Sequence, residues 1–328
     1  MAIIKNLIFC SKDRLKNLTS FVNFECSATG FVPFPLDILH YMLPFKMKFL
    51  KESYVAIDNG KTYGLITLEK DDNNKNKLKI SQLFLEENSI EYGELLINYV
   101  VNKFFAKGAE SFSVVVDEAD DKMLKLVSDV CKFRILADEY LFKIKKSDFS
   151  YQKDTSFEYI RFSKNSECVK ISEFCNSLIS SHQLPIFEMD TESFKDNILV
   201  GLKNKVVFKY VLENTENKKI FGYFTVSTRN NKDFALDAIL ASGYEVYLAD
   251  ILKFVKLEIS KRNSGWTLYV RIKSCFVNHK VLLEILENYD FKCYKKSKIL
   301  VKSLYKTVKA DNTISGKQII FNDITPAF

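Results

Sequence analysis

Tyr63-Gly64-Leu65-Ile66-Thr67 returns later in the chain as Phe221-Gly222-Tyr223-Phe224-Thr225, with the two glycines 158 residues apart (222 − 64). Two further landmarks keep nearly the same spacing: Gly93-Glu94-Leu95-Leu96 returns as Ala249-Asp250-Ile251-Leu252, and Lys132-Phe133 returns as Asp290-Phe291. A period of this length is the size of a whole domain and far exceeds that of solenoid repeats. The sequence therefore predicts two copies of one fold.

Composition supports two cores and places the excess of positive charge in the second copy. The chain has 328 residues, of which 47% are apolar and 14% aromatic, so it can build two substantial cores. Residues 1–150 carry 21 basic and 21 acidic side chains, so the net charge of +7 belongs to residues 151–328. Lysines crowd the end of the second copy, where they form either a solvated face or a surface for an anionic ligand such as a phosphate. They are Lys292, Lys295, Lys296, Lys298, Lys302, Lys306 and Lys309.

Several classes of protein find no support in the sequence. The seven cysteines form no C-x-x-C pair and there are three histidines, so no metal site is expected. Scattered cysteines on apolar stretches are typical of buried thiols in a reducing compartment, which predicts a cytoplasmic protein. No apolar run is long enough to span a membrane. The first ten residues read as a strand, because Lys5 and Asn6 interrupt their apolar run.

The order of elements is the same in both copies. A short strand ending in Ser-Lys is followed by two helical stretches, the second at residues 36–50 and 191–202. A hairpin follows, and Asp58-Asn59-Gly60 is a strong turn signal in the first copy. A strand then leads through a loop into an amphipathic helix, at residues 78–85 and 92–106 and again at 234–241 and 248–260. An apolar strand, another helix and a closing pair of strands complete each copy.

This pattern predicts an α/β (α+β) class, in which each domain is a mixed, partly parallel sheet flanked by helices. The predicted divisions are an N-terminal domain at residues 1–146, a linker at 147–156, a C-terminal domain at 157–306 and a tail at 307–328.

The strand, loop and helix at the centre of each copy, with an aromatic residue closing the last helix, resemble the GNAT (Gcn5-related N-acetyltransferase) superfamily in tandem. In that family the loop carries [Arg/Gln]-x-x-Gly-x-[Gly/Ala], and its backbone N–H groups and the helix N-terminus hold the pyrophosphate of acetyl-CoA. The corresponding residues are Asn88–Gly93 in the first copy and Tyr244–Ala249 in the second, and only the last position matches in each. Glu91 would repel a pyrophosphate in the first copy, whereas the second has Gly243 nearby.

The resemblance therefore implies a degenerate first domain and a cofactor site in the second, for acetyl-CoA or another acyl-CoA. The implied cofactor-binding residues are Gly243, Tyr244, Val246, Tyr247, Leu248 and Ala249.

The resemblance also implies a carboxylate on the central strand that acts as a general base, because the attacking amine arrives protonated. Asp233 and Asp237 lie four residues apart on this strand of the second copy, hence on one face, and apolar neighbours would surround Asp237. The alternative is that Asp233 belongs to the preceding polar turn and Asp237 bonds to a neighbouring strand. Leu286 stands where the family has a tyrosine acid, and His279 reads as a helix cap.

Three functions remain open at this point. The first is an N-acyltransferase whose second domain carries the chemistry and whose acceptor is an amine of a small molecule or a peptide. The second is a non-catalytic tandem module that binds a partner between the copies. The third is an aminoacyl transferase of the Fem type, and of the three hypotheses it alone implies a nucleic-acid partner, a tRNA. The sequence does not identify the acceptor or the oligomeric state.

Overall fold

The computed structural model describes residues 3–6, 19–22, 52–70, 76–87, 89–148, 157–195 and 206–303. The strand and helix predicted at residues 8–18, the helix predicted at 36–50, position Asn88 and the tail at 307–328 lie outside the described residues. Of the helix predicted at 191–202, the described part is a short 3-10 turn, Thr191–Phe194. None of the described helices is long and apolar enough to cross a bilayer.

The described part of the first repeat contains seven strands and two helices. They are β1 (Ile3–Asn6), β2 (Thr19–Val22), β3 (Glu52–Asp58), β4 (Lys61–Lys70), β5 (Lys77–Leu85), α1 (Ile90–Phe105), β6 (Ser111–Asp117), α2 (Asp121–Lys125) and β7 (Arg134–Lys145). The hairpin predicted between β3 and β4 is confirmed, and both Asn59 (φ 47°) and Gly60 (φ 77°) take the left-handed conformation of its turn. Helix α2 runs into a π-helical turn, Leu126–Val130.

From the hairpin onward, the second repeat follows the same order as the first. Its elements are β8 (Ile160–Phe162), α3 (Cys168–Ser177), α4 (Leu184–Phe187), β9 (Val206–Glu213), β10 (Ile220–Thr228), β11 (Asp233–Leu240), α5 (Leu248–Ser260), β12 (Thr267–Lys273), α6 (His279–Asn288) and β13 (Cys293–Ser303). The predicted closing pair of strands is wrong in both repeats, because β7 and β13 are each one long strand.

The described strands form a single mixed sheet in which the two repeats exchange their closing strands. The order is β1-β3-β4-β5-β6-β13-β7-β12-β11-β10-β9-β8, with β2 beside β5. Strand β13 of the second repeat pairs with β6 of the first, and β7 of the first pairs with β12 of the second. The parallel pairs are β5 with β6 and β11 with β12, so the predicted mixed, partly parallel sheet is confirmed.

An approximate twofold axis relates the repeats and passes through the pair β7 and β13. Glu139 lies six residues after Phe133, and Ser297 lies six residues after Phe291. These two equivalent residues face each other across the antiparallel strands. The axis also relates the pair Glu139 and Lys273 to the pair Ser297 and Asp117. The centre of the sheet is therefore the boundary between the repeats.

Apolar residues fill the space between this sheet and its helices on both faces. Helices α1 and α2 cover the first repeat, and the core beneath them includes fully buried Leu300 from β13. Helices α5 and α6 cover the second repeat, and their core includes Phe142 and Ile144 from β7. On the opposite face, α3 and the residues after it pack on a third cluster that contains Ile239 and Cys275. The exchanged strands thus complete each other's cores.

Three lysines near the end of the second repeat form ion pairs across the boundary between the repeats. Lys295 pairs with Asp117 (3.0 Å), and Lys296 pairs with Glu118 (3.1 Å). Lys298 pairs with both Glu118 (2.9 Å) and Asp138 (2.8 Å). The partners lie in or just after β6 and in β7, so these three lysines contact the first repeat, which neither sequence interpretation anticipated.

Gly222 is the glycine of the repeated stretch, and the structure shows why a side chain is not tolerated there. A Cβ at this position would lie 2.8 Å from Leu240 Cδ2 and 3.2 Å from Leu212 Cβ. We expect Gly222→Ala to lower the free energy of unfolding by about 1–3 kcal/mol, measured by urea denaturation. Gly265→Ala is the control, since the nearest atom to its Cβ is 3.9 Å away. A larger loss in the control would contradict this account.

Candidate functional site

Strands β11 and β12 separate before they end, and the gap between them is the centre of the candidate site. Their parallel pairing runs from Asp233 with Thr267 to Asp237 with Arg271. Residues 238–240 of β11 continue beyond that point without pairing to β12, and we call the resulting opening the wedge. In the first repeat, β5 and β6 likewise pair only as far as Ile80 with Val114.

The loop after β11 brings the chain from the wedge to the N-terminus of α5. Ala241 N–H donates to Phe221 O (2.8 Å), which holds the start of the loop to β10. Gly243 has φ 88°, a conformation that favours glycine, and a Cβ built on it meets nothing within 4 Å. A 3-10 turn, Glu245–Tyr247, then leads into α5 at Leu248. The loop therefore presents an open backbone surface at Gly243.

Glu245 lies inside this loop and is 8% exposed. Its Oε2 accepts a hydrogen bond from Gly243 N–H (2.8 Å), and its Oε1 accepts one from Asn278 Nδ2 (3.2 Å). Asn278 Nδ2 also donates to Leu240 O (2.8 Å), so it spans the open end of the wedge. Sequence reasoning missed both residues, since each reads as an ordinary polar loop or cap residue. A carboxylate thus occupies the position that the resemblance implies for pyrophosphate.

Other backbone N–H groups of the loop bond within it. Tyr244 N–H donates to Ala241 O (3.0 Å), and Tyr247 N–H donates to Tyr244 O (3.1 Å). Leu248 N–H donates to Glu245 O. These three N–H groups are therefore engaged within the loop, and Gly243 N–H becomes available to an incoming anion once Glu245 has moved.

The two loop tyrosines pack away from the wedge. The Tyr244 ring stacks on Phe221 of β10 (ring centroids 4.7 Å apart), and Tyr247 meets Tyr159 edge to face (5.2 Å). Strand β10 lies on the side of β11 opposite β12, so neither ring fills the wedge. Tyr159 donates to Asp250 Oδ2 (2.7 Å), and burial together with this carboxylate raises the pKa of Tyr159. Val246 is 69% exposed at the tip of the loop. Leu248, the first residue of α5, is fully buried, and Ala249 is half-buried.

The structure places the predicted carboxylates at different positions along one face of β11. Asp233 is the first residue of β11, next to the preceding turn, from which Asn230 Nδ2 donates to its Oδ2 (2.8 Å). Asp237 lies where the wedge begins, roughly 13 Å further along the strand. It forms an ion pair with Arg271, so the expected apolar surroundings are wrong. The apolar neighbours Leu236 and Ala238 point to the opposite face, beneath α5 and α6.

Charged residues of neighbouring strands share the face of Asp237. Arg271 and Lys273 alternate along β12 with buried Val270 and Ile272, so they lie on one face. Burial disfavours the protonated form of Lys273, but the charges of Asp237 and Glu139 outweigh it and raise its pKa. The alternation along β12 could have revealed Arg271 and Lys273, whereas Glu139 comes from the first repeat.

In the first repeat, Gly93 lies inside α1, and its position is closed to a ligand. A Cβ on Gly93 would lie 2.9 Å from Leu126 Cδ2 and 3.0 Å from Leu85 Cδ1, so this glycine is buried in the core. Gly93, Leu96 and Val100 occupy in α1 the buried positions that Leu248, Ile251 and Val255 occupy in α5. Gly93 is therefore equivalent to Leu248, and its predicted match to Ala249 is wrong by one residue. Glu86 adds a negative charge shortly before α1, paired with Lys61 (2.5 Å).

An acyl-CoA fits the loop of the second repeat. The carboxylate of Glu245 shows that Gly243 N–H can hold an anionic oxygen, and a pyrophosphate oxygen could replace it there. The N-terminus of the 13-residue helix α5 favours negative charge. Gly93 of α1 is buried and offers no such opening. Among the described residues no group of side chains could hold a metal ion.

The fold of the chain is the GNAT fold, present twice in tandem, as comparison with solved structures shows. A tandem GNAT protein from the clavulanic acid biosynthesis pathway aligns over 85% of this chain and 90% of its own, with TM-score 0.55 and 12% identity. A GCN5-related N-acetyltransferase from Sphaerobacter thermophilus aligns over 76% of this chain and 80% of its own, with TM-score 0.51 and 9% identity. No protein-family model matches the sequence, and no curated protein matches it.

Proposed function

We propose that the protein is an N-acyltransferase whose second repeat transfers an acyl group, acetyl first among the candidates, from CoA to an amine. The observation that carries the proposal is the wedge between β11 and β12, with an open glycine loop and a helix N-terminus beside it. The tandem GNAT fold supports it, since solved proteins that share this fold are described as acetyltransferases. The first repeat serves as a scaffold and lends its closing strand.

The cofactor would lie along the segment that contains Gly243, Tyr244, Val246 and Ala249, with Tyr247 and buried Leu248 supporting the segment from below. Gly243 would supply a backbone N–H to the pyrophosphate, and the α5 N-terminus would stabilise its charge. Tyr244 and Val246 are exposed at the mouth of the loop, where they can cover the cofactor. When bound, the cofactor would supply the acyl group as a thioester.

Asp237 would act on the amine acceptor. It lies on the sheet face away from α5, at the point where the wedge begins. A carboxylate there can accept a hydrogen bond from an incoming ammonium group and orient it toward the wedge. The ion pair with Arg271 holds Asp237 in place. Asp233, held by Asn230, would contribute charge from further along the strand.

The test is calorimetric binding of acetyl-CoA and of free CoA to the wild type and to Ala249→Glu. Position 249 lies in the first turn of α5, where a glutamate suits the helix and should leave folding intact. We expect saturable binding to the wild type and a loss of at least about tenfold in affinity in the variant. Absence of binding to the wild type would refute the proposal.

A non-catalytic binding module is the second candidate, and the position of Glu245 favours it. A buried carboxylate on Gly243 N–H occupies the anion position from within the chain. This candidate predicts no CoA binding under any condition, whereas the acyltransferase requires Glu245 to move. We also propose a cytoplasmic location, which the five described cysteines support because all are free thiols.

A further inference from the structure

Two opposite charges face each other at the centre of the sheet without touching. Lys273 of β12 and Glu139 of β7 are direct cross-strand neighbours on one face. Among the described residues, neither side chain has a hydrogen bond or an ion pair, so more than 4.0 Å separates Lys273 Nζ from the Glu139 carboxylate. Cross-strand neighbours of opposite charge usually pair, because the strands hold them close. Both residues are half-buried, so their charges are only partly solvated.

The surroundings of this Lys273–Glu139 pair favour a small polar ligand. Asp237 beside it is already engaged with Arg271. Past the end of β12 the same face becomes apolar, with buried Ala137 and Cys275 in the cluster beneath α3. An ammonium and a carboxylate that remain apart and partly desolvated each gain from a partner of opposite charge. A ligand with both charges would satisfy both groups at once.

The equivalent position in the other half of the sheet shows what a structural role looks like. The approximate twofold axis relates Lys273 and Glu139 to Asp117 and Ser297. There Asp117 is paired with Lys295 (3.0 Å), and Ser297 is neutral and buried. At the Asp117–Ser297 position the charge is thus neutralised by a salt bridge, whereas at the Lys273–Glu139 position the two charges have no ion-pair contact.

We propose that Lys273 and Glu139 bind an amino acid as a zwitterion, with its carboxylate on Lys273 and its ammonium group on Glu139. The inference rests on the proposed function, since it names the class of acceptor: an amine that carries a carboxylate a few ångströms away. Glu139 comes from the first repeat, so the strand exchange completes the acceptor site of the second. Asp237 lies at the wedge side of this site and would receive the amine for transfer.

The experiment measures binding of each common L-amino acid to the full chain by calorimetry, with and without saturating CoA. We expect saturable binding of at least one amino acid. Its methyl ester, which lacks the negative charge, and its N-acetyl derivative, which lacks the positive charge, should each bind at least about tenfold more weakly. Binding of the N-acetyl derivative as strongly as the parent would show a site for carboxylates alone and would overturn the zwitterion.

Variants assign the site to these two residues. Lys273→Met and Glu139→Gln should each weaken binding at least about tenfold, whereas Lys273→Arg, which keeps the charge, should retain most of it. Lys122→Met, on the exposed side of α2, removes a lysine elsewhere and should change nothing. Wild-type affinity in Lys273→Met would overturn the proposal, as would the failure of every amino acid to bind the wild type. If an amino acid binds and CoA does not, the zwitterion site stands and the acyltransferase proposal fails. If CoA binds and no amino acid does, the acyltransferase proposal stands and the zwitterion site fails.

Discussion

Replacing Phe142 by alanine should loosen the second repeat, although Phe142 belongs to the first. Its side chain is fully buried in the core beneath α5 and α6, because β7 pairs with β12. Truncation of a buried phenylalanine costs about 3–5 kcal/mol of unfolding free energy. We expect native-state hydrogen exchange to accelerate in β11 and β12 more than in β5 and β6.

Leu300→Ala is the matched control for this prediction. Leu300 lies in β13 of the second repeat and is fully buried in the core of the first. Its truncation costs about 2–5 kcal/mol and should accelerate exchange in β5 and β6 instead. Faster hydrogen exchange in the repeat that carries the substitution, or equally in both repeats, would contradict the assignment of each closing strand to the core of the other repeat.

Glu245→Gln should raise the affinity for CoA by at least about tenfold relative to the wild type. A carboxylate about 4 Å from a phosphate charge costs on the order of 4 kcal/mol at an effective dielectric constant of about 20, so its removal is a large change. The glutamine oxygen can still accept from Gly243 N–H, which preserves this turn of the loop, while its amide nitrogen replaces the oxygen that accepts from Asn278 Nδ2. Asn278 keeps its bond to Leu240 O. Calorimetric titration with CoA measures the difference.

Glu258→Gln provides the matched control, because it removes the same charge at the far end of α5, where Glu258 pairs with Lys261 (2.6 Å). It should leave CoA affinity unchanged. If Glu245→Gln binds CoA no better than the wild type, then Glu245 does not compete with the cofactor. Failure of both proteins to bind CoA would favour the non-catalytic module.

Much of the fold was readable from local signals in the sequence. The Asn59-Gly60 turn requires positive φ at two positions and therefore marks its hairpin. The helix predicted at residues 248–260 has the bounds that the structure gives α5, since its apolar residues recur at helical spacing. The predicted helix at residues 92–106 begins two residues too late, because Ile90 and Glu91 carry no strong start signal.

The exchange of closing strands was not readable, because periodicity shows which face of a strand is buried and not which neighbour it takes. The alternation of apolar and polar residues in β7 and β13 lets either strand lie beside β6 or beside β12. The same limit explains the errors at the site. Leu236 and Ala238 flank Asp237 in sequence but point away from it, whereas Arg271 reaches it from another strand. Glu245 is an acidic residue of the loop in the sequence, and only the fold brings Gly243 N–H and Asn278 to it.

The exchange of β7 and β13 also bears on how such a chain can arise. A gene for one repeat alone would encode a sheet whose apolar strand, the equivalent of β6 or β12, lacks a neighbour. Its closing strand, the equivalent of β7 or β13, would be unpaired at the end of the chain. Two copies of that product would complement each other by trading the closing strands across a twofold axis, as Glu139 and Ser297 still face each other. Duplication and fusion of a strand-swapped homodimer therefore gives the simplest ancestry, after which the loops of the two halves could diverge while each closing strand stayed indispensable.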